Sequence, residues 1–362
     1  MSDNLRLGDY RPRSMLRVAE HPIDKPRFPV IDMHNHTVSR DGSWQVEDPA
    51  EIVAVMDAAG IAAMVDLDGG TGDQLAQHIE KFRGPYPDRF AIFARCRWDQ
   101  NLSHADFGER AAKDLAQAVR GGAEGLKIAK TLGLTFKDPP GNRLRVNDER
   151  LDPLWQTAAE LKVPVLIHSA DPIAFFDPLD AHNELYEALR MFPDWHVYGP
   201  GRPSFEEVHA EMVEVIARHP RTRFIGAHVA SISEDLARAG ELLDRFPNLL
   251  VDIAARTPEL GRKPYSTHDF LVRYAGRVVF GLDWQGPPED YRVMYRMLET
   301  RDEYFSYASD PDGELGSDGR WRIYGADLPD EALRHLYYGT ALTLLPRLKS
   351  AVDAMQEKWG EH

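Results

Sequence analysis

Short apolar runs alternate with amphipathic stretches along most of this chain. The runs are PVIDMH (29–34), AAMVDL (62–67), FAIFAR (90–95), EGLKIA (124–129), PVLIHS (164–169), RFIGAH (223–228), LLVDIA (249–254) and RVVFGLD (277–283). Each is short and rich in Val, Ile, Leu or Phe, as parallel strands buried on both faces are. Between them, apolar residues recur with helical period over 49–59, 73–82, 108–120, 149–162, 205–219, 234–246 and 266–275. The punctuation agrees with this reading. Asp48 can cap the first helix, Pro49 fits its first turn, and Gly60 ends it. Pro164 stops another helix and opens the next strand.

Eight strands alternating with helices predict the α/β class and a (β/α)8 TIM barrel, distorted by insertions. A doubly wound open sheet is the competing α/β fold. No Gly-x-Gly-x-x-Gly follows the first strand, which counts against it. The barrel domain is expected over 28–349, after an N-terminal arm (1–27) and before a helical extension and C-terminal tail (350–362). Two segments interrupt the alternation. Residues 171–204 are long for a loop after strand five and carry Phe175, Phe176, Tyr186, Phe192, Trp195 and Tyr198. They read as a lid, with packing over the barrel rim as the alternative use of the aromatics. Residues 301–328 are polar and rich in Gly and Asp, and read as a surface insertion before a final helix near 330–349.

Composition adds exclusions. Asp and Glu number 58 against 43 Lys and Arg, a formal charge of −15 over 362 residues. That disfavours a nucleic-acid or anionic-membrane surface. The single cysteine, Cys96, excludes an intramolecular disulfide and fits a reducing compartment. The polar N-terminus does not resemble a signal peptide, and no apolar run is long enough to span a bilayer. A cytoplasmic enzyme with a small-molecule substrate is expected, as a homodimer or higher homo-oligomer.

Chemistry enters at the strand exits. Active-site groups of such a barrel sit at the C-terminal ends of its strands. His34 and His36 end strand one, and residues i and i+2 of an extended chain share a face. His168 ends strand five, His228 strand six and Asp283 strand eight. Only 14 histidines occur in the chain, so four of them on one rim form a constellation. Imidazoles with a carboxylate suit zinc or a similar divalent metal. Lesser candidates on the same rim are Asp66, Asp68, Arg95, Arg97 and Arg256, each of which an ordinary ion pair explains equally well. His182, Asn183 and Glu184 could be presented to the pocket, but such a stretch is more often a capped, solvated helix.

The motifs DMHNH, VLIHS, IGAHVA and VFGLDW, in that order, resemble the amidohydrolase superfamily. The resemblance is to its amidohydrolase-related branch, which includes aminocarboxymuconate-semialdehyde decarboxylase and resorcylate-type decarboxylases. It covers roughly residues 28–345. Near its end the family's usual Gly-Asn-Ala is Gly339-Thr340-Ala341 here. The resemblance implies that His34, His36, His168 and Asp283 hold one divalent metal, zinc first, with Mn, Fe or Co as substitutes. It implies that His228 transfers a proton or orients substrate beside that metal. Lys127 matches a lysine that bridges two metals in binuclear members, and a substrate-binding cation is its other expected role. Arg256 is expected to grip a substrate carboxylate, and Phe175 and Phe176 to line the pocket. Two reactions fit this ligand set. In hydrolysis Asp283 takes a proton from an activated water. In non-oxidative decarboxylation of an aromatic or muconate-type acid it delivers a proton to carbon.

Overall fold

All eight apolar runs are strands in the computed structural model, which describes residue 6 and residues 14–38, 45–46, 48–307 and 321–360. They are β1 (Val30–Asn35), β2 (Ile61–Asp66), β3 (Phe90–Ala94), β4 (Gly125–Ile128), β5 (Val165–Ile167), β6 (Phe224–Gly226), β7 (Leu249–Asp252) and β8 (Val278–Val279). They pair in parallel, each with the next in sequence. Met33 N–H donates to the Phe280 carbonyl at 2.9 Å and Asp283 N–H to the His34 carbonyl at 2.7 Å. These bonds bring the end of β8 back to β1, giving a TIM barrel with helices outside.

The helices fall where the periodicity places them. Asp48 accepts from Ala50 N–H at 2.9 Å, and Gly60 ends its helix with φ 74°. The longest helix outside the expected set is Pro288–Glu299 after β8. Its buried Tyr291, Met294, Tyr295 and Leu298 follow i, i+3, i+4, i+7 spacing, but two prolines at its start mask the boundary. The region beyond 349 is no bare tail. It forms the helix Lys349–Trp359, whose Ala351, Val352 and Met355 pack with Ile31, Met33, Val65 and Ile225 of the barrel interior. Trp359 lies against the turn at Gly60, just before β2. This helix therefore covers the N-terminal end of the barrel and leaves the opposite end for chemistry. Thr340, in place of the family's asparagine, is buried and donates to the Ala275 carbonyl at 3.0 Å.

Segment 171–204 contains short helical turns at Ile173–Phe176 and Pro193–Trp195 around a helix, Tyr186–Met191. Within 301–328, residues 308–320 lie outside the described residues. Their flanks pair Phe305–Ser306 with Arg322–Ile323 in antiparallel fashion. Most of residues 1–13 of the arm likewise lie outside the described residues. Among the described residues no helix is long and apolar enough to cross a membrane.

Candidate metal centre

His34 and His36 leave β1 on the same face. Their Nε2 atoms stand 3.0 and 3.5 Å from one oxygen, Asp283 Oδ1. The ligand atoms of these three residues lie within 4.8 Å of one another. Behind each imidazole stands a carboxylate. Asp252 Oδ2 is 2.9 Å from His34 Nδ1, and Asp68 Oδ1 is 2.9 Å from His36 Nδ1. An ionised carboxylate only accepts, so each Nδ1 carries the hydrogen, and wherever a ring is neutral its Nε2 lone pair points toward Asp283. Two lone pairs aimed at one carboxylate oxygen repel it unless positive charge stands among them. The donor set therefore fits a divalent metal ion.

Positive charge of another kind is also close. Lys127, on β4, places Nζ 2.9 Å from His34 Nε2. Burial and this ammonium press the His34 pKa down, but Asp252 and Asp283 outweigh them and it is raised. Burial works against the charge on Asp283, yet His34, His36 and His228 hold its pKa well below the usual carboxylate range. Asp68 is likewise held low against burial by His36 and Arg95, and it also accepts from the N–H groups of Thr37 and Val38.

His168 stands slightly apart, outside the close group of His34, His36 and Asp283. Its ring packs edge-on against His228 with centroids 4.5 Å apart. Its Nε2 is 3.3 Å from Asp171 Oδ1 but makes no hydrogen bond. Burial pushes its pKa down to about 3, so the ring is neutral at physiological pH.

His228 opens a run of four non-glycine residues, His228, Val229, Ala230 and Ser231, with φ of 58°, 58°, 52° and 62°. This left-handed turn costs about 1–2 kcal/mol per residue. Such strain concentrates at functional sites, and here it sets the imidazole beside His34, with ring centroids 4.9 Å apart. His228 Nδ1 is 2.8 Å from the Ala254 carbonyl oxygen, which only accepts, so Nε2 is the lone-pair nitrogen. Burial, followed by the neighbouring charges of His168 and Arg256, lowers its pKa well below the ordinary value. In the neutral ring Nδ1–H donates to Ala254 and Nε2 accepts a hydrogen bond.

The remaining candidates divide between the rim and local packing. Arg256 is buried after β7 and donates to the Ala255 carbonyl at 2.6 Å. Arg95 pairs with Asp68 at 2.9 Å, Arg97 with Asp114, and Asp66 with His78 Nδ1 at 2.9 Å. Glu184 pairs with Arg262 and Asn183 bonds the Ala174 carbonyl, while His182 is exposed. Phe175 stacks on Trp195 and Phe176 meets Phe205 edge-on, each with centroids 5.7 Å apart. Both rings are engaged in packing within and beneath the 171–204 segment. A cavity of about 440 Å³ against this segment is lined by Ile173, Asn183, Leu185, Glu234 and Glu259 among others, and by neither phenylalanine. Asp252 is not among the sequence candidates. It ends β7 as Asp283 follows β8, so the strand-exit rule that found Asp283 also marks it.

The amidohydrolase family model matches residues 31–347. No curated protein matches the chain. Among solved structures, a dihydroxybenzoic acid decarboxylase from Polaromonas sp. JS666, with bound manganese and 2-nitroresorcinol, superposes with TM-score 0.57. It is 14% identical over 88% of this chain and 97% of its own. A 2,6-dihydroxybenzoate decarboxylase from Rhizobium gives 0.56 at 15% identity over 88% and 99% of the two chains. A putative amidohydrolase from Staphylococcus aureus gives 0.56 at 17% identity over 88% and 100%. At these identities the likeness concerns the fold, and the family assignment rests on the match along the sequence together with the histidines and aspartate it spans: the chain belongs to the amidohydrolase family.

Proposed function

We propose that this protein is a metal-dependent hydrolase that uses an activated water on a small carboxylated or aromatic substrate. The observation that carries this reading is the meeting of His34 Nε2 and His36 Nε2 at one Asp283 oxygen, with His228 beside them. Asp283, held ionised, and His228, whose Nδ1 hydrogen is taken by the Ala254 carbonyl, present acceptor atoms to that site. His34, His36 and Asp283 hold one divalent metal, zinc or Mn, Fe or Co in its place, with His168 as the fourth donor. Such a metal supplies Lewis acidity and lowers the pKa of a bound water from about 15.7 toward about 7. Asp283 takes the proton of the attacking water and passes it to the leaving group. His228 Nε2 accepts a hydrogen bond that orients the water or the substrate. Lys127 and Arg256 provide cationic partners for an anionic end of the substrate, and segment 171–204, braced by Phe175 and Phe176, limits its size.

A second reading is decarboxylation of an aromatic acid. It is supported by the fold shared with the two dihydroxybenzoate decarboxylases. In it Asp283 delivers its proton to carbon rather than to a leaving group. A panel of lactones, esters, amides and hydroxybenzoates assayed in ¹⁸O-labelled water separates the two. Hydrolysis places ¹⁸O in the product carboxylate. Release of CO₂ from a hydroxybenzoate with no ¹⁸O-labelled hydrolysis product from any compound would replace this reading with the second.

A further inference from the structure

Asp252 has no exposed surface and serves two site residues from opposite sides. Its Oδ2 lies 2.9 Å from His34 Nδ1. Its Oδ1 accepts from the backbone N–H of His228 at 2.8 Å and of Ala254 at 3.1 Å. Ala254 in turn offers its carbonyl to His228 Nδ1 at 2.8 Å. One carboxylate at the end of β7 thus fixes the tautomer of the first histidine of the site. It also anchors the start of the left-handed turn that carries His228.

We infer that Asp252 is the positioning residue of this centre: it sets His34 as the Nδ1–H tautomer, with the Nε2 lone pair turned inward, and holds His228 in register with it. The inference rests on the proposed metal-dependent reading for its functional meaning, but the tautomer itself is a property of the protein alone. His34, His228 and Asp252 also have ligand atoms close enough to suggest a metal site of their own. The hydrogen bonds argue against that use. His34 faces Asp252 with an N–H rather than a lone pair, and the other oxygen of Asp252 already accepts two backbone N–H groups. A carboxylate bonded in this way is an orienting group behind a ligand, and such groups tune affinity without touching the metal.

Asp252→Asn separates the two duties. The amide oxygen still accepts from the N–H groups of His228 and Ala254, so the His228 turn is retained. The amide NH₂ must then face His34 Nδ1, which can only accept from it. His34 switches to the Nε2–H tautomer and turns a hydrogen toward Asp283 where a lone pair stood. The test is ¹⁵N NMR of the histidine side chains in metal-free full-length protein, at a pH high enough that the His34 ring is neutral, with Mn²⁺ and Zn²⁺ titrations of the same samples. Wild type is expected to show His34 protonated at Nδ1. Asp252→Asn is expected to show it at Nε2 and to bind either metal about 10–100-fold more weakly, with the far-UV circular dichroism of the folded barrel.

A His34 tautomer already at Nε2 in wild type overturns the inference, whether or not the variant folds. Unchanged metal affinity in a folded Asp252→Asn protein overturns it too. So does loss of a second equivalent of metal with the His34 tautomer unchanged, which makes Asp252 a ligand. If wild type binds neither metal, the proposed function fails, while the tautomer measurement still decides the role of Asp252.

Discussion

Gly281→Ala tests how closely the centre depends on the meeting of β1 and β8. Gly281 does not adopt a left-handed φ, so conformation does not require glycine there. Distance does. A Cβ at this position would stand 2.7 Å from His34 Cβ, 3.2 Å from His34 N and 3.2 Å from Ala254 Cβ. Carbon–carbon contacts are comfortable near 3.5–4.0 Å, so the two chains must part by roughly 0.8 Å or more. They are tied on both sides of the contact, through Met33 to Phe280 at 2.9 Å and Asp283 to His34 at 2.7 Å. The displacement therefore passes to His34 and Asp283. A metal or catalytic constellation tolerates about 0.5 Å of error. Overpacking costs about 1–3 kcal/mol, and the stiffer unfolded chain returns about 0.4–1 kcal/mol, so the net loss of stability is modest. Calorimetric Zn²⁺ titration and urea unfolding are the assays. The expected result is a folded variant that binds metal at least tenfold more weakly. Gly276→Ala is the control, because the nearest atom to its new Cβ is 4.0 Å away, and it should bind as wild type does. Wild-type metal affinity in Gly281→Ala would refute the claim that this glycine sets the ligand geometry.

Asp283→Asn should lower turnover by several orders of magnitude in a steady-state assay while the imidazoles retain much of the metal; near wild-type turnover would remove its role as base. Replacing Phe175 and Phe176 together by alanine should alter KM and substrate preference with metal content intact. Unchanged kinetics in the folded variant would confine both rings to packing. Asp302 tests pH dependence away from the centre. Burial opposes its charge, but His21 and Arg296 hold its pKa below the ordinary value, with Arg296 Nε at 2.6 Å. A depressed folded pKa gives stability that is present above the unfolded value of about 3.9 and is lost as pH falls through the lower folded value. Urea midpoints from pH 6 to 3, in wild type and Asp302→Asn, should show a smaller acid-side loss in the variant.

The strands were legible because a parallel strand covered on both faces must be a short apolar run, and eight such runs leave little room for another topology. The metal-site candidates were legible because an imidazole following such a run is carried to the rim. His34, His36 and Asp283 meet at one point of the rim, whereas His168 leans on His228 and Asp171, a side-chain choice that strand position does not determine. The left-handed turn at 228–231 was hidden, since Ala-His-Val-Ala-Ser offers no glycine to announce it. The orienting role of Asp252 was hidden too, because a carboxylate behind a histidine belongs to a strand far away in sequence. Phe175 and Phe176 show a different limit: aromatic content marks a segment that packs, but not whether its rings face the cavity or the protein beneath.

Anomalous diffraction from crystals grown with Mn²⁺ or Zn²⁺ tests the central claim most directly. The account predicts one strong peak per chain, about 2.0–2.2 Å from His34 Nε2, His36 Nε2 and an Asp283 carboxylate oxygen, with His168 turned to complete the set. A peak bounded instead by Asp252, or no peak among these residues in metal-saturated crystals, would contradict it.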